Sequence, residues 1–173
     1  MRTFRSHGNG RFAPEDLGSH GDGGVIEDGV LVFRPDLVHL GDNVYIGHRA
    51  TLKAYPGGGV RIASDCWIGP SCFLSGKAEL VIEAGVGIGP RVQILTSTHR
   101  DPGRDRPIMD GELVLGPVRI GAGSDLGAGC IVLPGVTIGR GVQVGAGAVV
   151  SADLPDYAVA AGMPASVLRF RDG

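Results

Sequence analysis

Of the chain's five histidines, His99 is the one placed to do chemistry. It stands in Thr96-Ser97-Thr98-His99-Arg100-Asp101-Pro102, at the root of the longest stretch without a repeating pattern. An imidazole titrates near neutrality, so a histidine that can reach a cleft suits general-base work. His7 and His20 lie in a polar N-terminal segment, His39 precedes an aliphatic residue, and His48 follows Ile46-Gly47. His39, His48 and His99 are far apart and include no close pair, which counts against a three-histidine zinc site. Cys66, Cys72 and Cys130 follow no zinc spacing and are expected to be buried, reduced thiols. No G-x-S-x-G elbow occurs, so a serine-centred acyl-enzyme is not expected.

The elements that must position His99 are written in a beat of six. Aliphatic anchors recur at Ile120, Leu126, Val132, Ile138, Val144 and Val150. Upstream they fall at Ile26 and Val32; Leu40, Ile46 and Leu52; Ile62, Ile68 and Leu74; Ile82, Ile88 and Ile94. A small residue commonly follows the anchor, and a smallish one comes four positions after it, the three cysteines among them. A helix would scatter such residues around its axis, so the pattern marks a stacked repeat whose units bury their apolar faces on each other. The gaps after Val32, Leu52, Leu74 and Ile94 exceed six by 2, 4, 2 and 20 residues. Counting Val32 as third, each follows the third anchor of a set, so three hexads make one turn of a triangular coil and the insertions bulge from one edge. Parallel strands stacked over about six coils at ~4.8 Å would give a prism roughly 30 Å tall.

Composition fits. Glycine is 31 of 173 residues, enough for a corner every six positions, without a collagen period. Net charge is −2 with both signs mixed, which gives no footprint for nucleic acid or anionic membrane. No apolar run reaches ~18 residues and no signal-peptide core is visible, so no membrane span and a cytoplasmic location are the expectation. Residues 1–24 read as an N-terminal arm, loose apart from a helical turn near Pro14–Leu17. Residues 25–154 read as the repeat domain, with an inserted loop over 95–117. Residues 155–173 read as a tail in which the beat fails and the chain caps the prism.

Together with Ile94–Pro107, Val118–Ala148 and the run Pro155-Asp156-Tyr157-Ala158-Val159-Ala160-Ala161-Gly162-Met163-Pro164-Ala165, these hexads resemble the hexapeptide-repeat acyltransferases. The long loop with Thr-x-Thr-His is similar to the branch holding the galactoside, maltose and nodulation-factor O-acetyltransferases and surface-polysaccharide acetyltransferases. The resemblance implies an all-β, left-handed parallel β-helix that assembles as a homotrimer, with each active site between two prisms. It also implies acetyl-CoA as cosubstrate, no required metal, and a small-molecule or saccharide acceptor. His99 maps onto the catalytic base, and the Ala128 backbone N–H onto an oxyanion donor. Gly127, Ala128, Gly145, Ala146, Ser151, Ala160, Ala161 and Arg169 map onto the coenzyme groove, Arg169 toward a phosphate. Asp101 and Asp125 are the candidate acceptor contacts.

Asp125 is also a departure, because the branch often carries Trp there. Ala152 and Ser166 stand where the family often has Lys and Arg, which leaves fewer cations for the coenzyme's phosphates. Direct acetyl transfer to a sugar hydroxyl is the leading expectation. N-acetylation of an amino sugar or nucleotide sugar stays open, as does a non-catalytic β-helix scaffold. A detached half of a nucleotidyltransferase is disfavoured, since no Gly-rich phosphate loop precedes the repeats.

Overall fold

A computed structural model describes residues 4–172; residues 1–3 of the expected arm and residue 173 of the expected tail lie outside it. Each set of three anchors becomes one rung on each of three faces, and the run from Ile120 to Val150 becomes two. On the first face Ile26, Ile46, Ile68, Ile88, Leu126, Val144 and Ala160 stack in parallel register. Val32, Leu52, Leu74, Ile94, Val132 and Val150 stack on the second. Leu40, Ile62, Ile82, Ile120 and Ile138 stack on the third. The result is the expected all-β parallel β-helix, a triangular prism of hexapeptide coils.

The anchors from Leu52 to Val150 are essentially inaccessible to solvent. Outside the insertions, so are the residues four places on, including Ala50, Cys72, Cys130 and Ala148. This second ladder also satisfies backbone. Cys66, Cys72 and Cys130 place Sγ 3.0, 3.1 and 3.0 Å from the carbonyls of Glu83, Gly89 and Gly145 in the next coil. Ser124 does the same with oxygen, donating to Gly139 O at 2.9 Å and accepting from Val142 N at 3.0 Å. The thiols are free and buried, and burial pushes Cys72 up to about 11.

Where a glycine follows an anchor, close approach demands it. A Cβ on Gly127 would meet Ala146 N at 2.6 Å, and one on Gly89 would meet Ala128 N at 2.7 Å. Left-handed backbone falls instead three places after the anchor, at Gly129 and Gly147 but also at Arg49, Asp65, Ser71 and Arg91.

Three features differ from the expectation. The coil makes about seven turns rather than six. After the beat slips, Ala158–Gly162 returns to the first face and buries Ala158 and Ala160. Alanine carries too little hydrophobic signal to extend the anchor pattern. Ala165–Phe170 then folds back antiparallel and covers the edge of that sheet.

The N-terminal segment is also less loose than expected. It has the short helical turn at Pro14–Asp16, and its backbone pairs with the first coil. Gly10 O accepts from Val32 N, Gly18 N donates to Pro35 O, and Ser19 O accepts from Leu40 N. Leu17 closes the apolar base. Finally, the inserted loop over 95–117 carries secondary structure of its own: it is an arm whose strands Ser97–His99 and Leu113–Leu115 pair antiparallel. Among the described residues no helix is long and apolar enough to cross a membrane.

Candidate active site

The arm leaves the prism at the edge between the second and third faces, where every insertion bulges. Its root is Thr96, which is fully buried. The Thr96 hydroxyl donates to Ser75 O at 2.9 Å and accepts from Ala78 N at 3.0 Å, bridging the insertion of the coil below. Gly116 N donates to Thr96 O where the arm returns. Sequence reasoning missed Thr96 as an anchor; its signal was a threonine two residues after the last rung, where the face ends.

His99 ends the outgoing strand opposite Leu113 and is half-buried. Its Nδ1 lies 3.2 Å from Gly111 O. A carbonyl only accepts, so Nδ1 carries the proton and Nε2 keeps its lone pair. Arg100 N donates to Glu112 O, and the two side chains pair at 3.4 Å, clamping the hairpin beyond the histidine. Gly111 is a second residue that sequence reasoning passed over. A Cβ there would overlap the carbonyl oxygen of Arg100, so the strands can close over His99 only on a glycine.

Gly127, Ala128, Gly145, Ala146 and Ala161 form a column on a different edge, between the first and second faces. Gly127 N donates to Val144 O and Gly145 N to Ala160 O, each at 2.8 Å. Among the described residues the Ala128 N–H has no partner, while its carbonyl accepts from Gly147 N. Pro90 occupies the equivalent corner one coil below, so the fold does not need a donor at this position. The Ala160 side chain points into the core, so only its backbone can meet a ligand. Ser151 stands on the arm's own edge, following Val150 as Leu95 follows Ile94 in the same face. Within one chain, then, the fold brings Ser151 to the edge of His99 and leaves Ala128 on another.

The remaining candidates are peripheral. Asp101 turns back on its own loop and accepts from Gly103 N at 2.8 Å. Asp125 points outward from the first face, between Gly87 and Gln143 in register. A Cβ on Gly87 would come 2.6 Å from its Oδ1, so the carboxylate leans across that gap toward the exposed Trp67. Arg169 pairs with Val159 in the C-terminal hairpin and donates to Phe170 O at 3.1 Å. The other histidines have local roles. His39 Nδ1 meets Ser19 Oγ at 3.0 Å, and His48 Nε2 is 3.6 Å from Glu27. No group of three metal-ligating side chains converges among the described residues.

Comparison with known proteins adds to this geometry. Residues 117–152 match the family model described as the hexapeptide repeat of succinyl-transferase. Nodulation protein L of Rhizobium meliloti is 38% identical over 157 residues, covering 90% of this chain and 72% of that protein. A probable acetyltransferase of Mycobacterium tuberculosis is 34% identical over 139 residues, and the match spans 46% of its length. Among solved structures, galactoside acetyltransferase in complex with coenzyme A superposes with a TM-score of 0.62 at 27% identity, covering 90% of this chain and 66% of that one. A variant of AntD, an N-acyltransferase from Bacillus cereus in complex with dTDP and coenzyme A, shares the fold at a TM-score of 0.82 and 24% identity, over 95% and 92% of the two chains.

Proposed function

Because the chain belongs to the hexapeptide-repeat acyltransferase family, we propose that it moves an acetyl group from acetyl-CoA to a saccharide hydroxyl. His99 is the general base. The observation that carries this reading is the His99–Gly111 hydrogen bond, which engages Nδ1 as the donor and leaves Nε2 of the neutral ring as the proton acceptor. Nε2 takes the hydroxyl proton as the acceptor oxygen attacks the thioester carbonyl. The new C–O bond produces a tetrahedral oxyanion, for which the unpartnered Ala128 N–H is the donor. Collapse breaks the C–S bond, and the imidazolium returns its proton to the departing thiolate. No covalent enzyme intermediate is needed. The three thiols are buried with their pKa values raised by desolvation, and neutral buried thiols make poor nucleophiles.

His99 and Ala128 occupy different edges of one prism, so in this mechanism they meet across two copies of the chain, in a homotrimer with three shared clefts. The arm is suited to such docking, since Ile108, Met109, Leu113 and Leu115 are all exposed. Ser151 comes from the subunit that gives the arm. The Gly127-to-Ala161 column comes from its neighbour, and coenzyme A lies between them with Arg169 near its nucleotide end. Asp125 and Asp101 face the acceptor. Supply of acetyl-CoA puts the reaction in the cytoplasm, with the acceptor free or part of a polysaccharide.

Likeness to galactoside acetyltransferase supports a hydroxyl acceptor. Likeness in fold to AntD keeps transfer to a sugar amine as the second reading. Thiol release from acetyl-CoA across a panel of saccharides and matched amino sugars tests both. Turnover with saccharides that lack an amine is the expected result. Turnover with amines alone would give the second reading precedence, and hydrolysis or silence with every acceptor would refute both.

A further inference from the structure

The chain has only two lysines among its 16 basic residues, and both are aimed at one ring. Lys53 Nζ lies 5.5 Å from the centroid of Tyr55 and 5.5 Å from that of Phe33. Lys77 Nζ lies 4.6 Å from the Tyr55 centroid. The His7 ring meets Tyr55 edge-on at 5.9 Å. Both lysines are half-buried, and among the described residues neither ammonium has a carboxylate partner. Four arginines behave differently: Arg34, Arg61, Arg100 and Arg119 each pair with an acid, in a chain of 18 acidic residues. Two cations held over a shared ring repel each other, and the aromatic face offsets that only in part. An anion between them would remove the repulsion.

The pair also stands where an acceptor could reach it. Lys53 is in register with Ser75, and Lys77 lies in the turn from Ser75 to Ala78 that Thr96 bridges. The two residues therefore lie on the arm's edge, Lys77 one coil and Lys53 two coils below the root that carries His99.

We propose that Lys53 and Lys77, braced on Tyr55, form a subsite for a phosphate group carried by the acceptor, so that the saccharide acetylated is a phosphorylated one. Lysine binds phosphate as a strongly hydrated point charge, which suits a mobile phosphoryl group better than a planar fork would. The proposal rests on the acetyl-transfer reading above and narrows its substrate class.

Having only two lysines makes the test direct. Reductive methylation with labelled formaldehyde turns each into a dimethylammonium that keeps its charge, and Lys53→Arg and Lys77→Arg assign the two resonances. Inorganic pyrophosphate, glucose 1-phosphate and a nucleoside diphosphate sugar should each move both resonances saturably, whereas glucose should move neither. Resonances that ignore all three, or that move with coenzyme A alone, would overturn the proposal. In acetyl transfer, Lys53→Met/Lys77→Met should raise KM for a phosphorylated acceptor at least about tenfold, the loss of one charge-assisted contact. The dissociation constant for coenzyme A should stay the same, and an unchanged acceptor KM would overturn the proposal. Resonances that respond in a protein that acetylates nothing would leave the phosphate site standing and remove the acetyl-transfer reading. Brisk transfer to plain sugars with unmoved resonances would do the reverse.

Discussion

His99 Nδ1 and the carbonyl oxygen of Gly111 face each other at 3.2 Å across the base of the arm. That single bond sets the tautomer and aims the ring, and it exists because residue 111 has no side chain. Gly111→Ala would push a methyl group into the Arg100 carbonyl and spread the strands. Turnover should fall by about 10- to 100-fold through misplacement of the base, with coenzyme A affinity unchanged by calorimetry. The nitrogen shifts of His99 should change from a single tautomer to a mixture. Wild-type turnover in this variant would separate Gly111 from catalysis.

Thr96 supports the same arm from inside the prism. Thr96→Val removes a buried hydroxyl and leaves Ser75 O and Ala78 N without their partner. A loss of about 1–3 kcal/mol is expected from stranded backbone groups, read as a lower midpoint in denaturant. Proteolytic cleavage should then concentrate within 95–117.

How much of this could be read in advance divides along a physical line. The rungs from Ile26 to Val150 were legible because burial against the next coil recurs at fixed spacing, and spacing is what a sequence displays. The edge bearing the insertions was legible for the same reason, and so was His99 at the root of the longest one. Thr96 and Gly111 were not, because their roles are hydrogen bonds and steric clearances between segments that no period links. Ala160 was invisible as a rung because a methyl group looks like any other small residue. The convergence of Lys53 and Lys77 on Tyr55 needed the register of two coils, since the lysines lie 24 residues apart in sequence.

The coil corners make a sharper test of packing. Gly127→Ala would set a methyl carbon 2.6 Å from Ala146 N, where the obstacle is backbone. Stability should drop by about 2 kcal/mol or more, as in other overpacked sites. Gly129→Ala meets nothing within 4 Å, and its left-handed φ of 72° costs only about 1 kcal/mol. The ranking of the two midpoints checks the coil geometry.

The buried thiols give a pH signature. Cys72 is raised from 9.0 to about 11, chiefly by desolvation. The folded state thus holds this proton more tightly than the unfolded chain does. That contribution is complete below pH 9 and is lost as pH rises toward 11, on the order of 2 kcal/mol over the window. Cys72→Ala should flatten this alkaline decline in unfolding free energy, and none of the three thiols should react with a disulfide reagent at pH 8 before unfolding.

The central claim is that the base and the oxyanion donor of each cleft come from different copies of the chain. Ala128→Pro deletes the donor at a corner where Pro90 already sits one coil below. His99→Ala deletes the base, and each variant alone should lose at least about 10² in turnover. Unfolded together and refolded as mixed trimers, the two inactive variants should recover a substantial fraction of wild-type activity, because some clefts then pair an intact His99 with an intact Ala128. Mixed trimers as inactive as their parents would contradict the account.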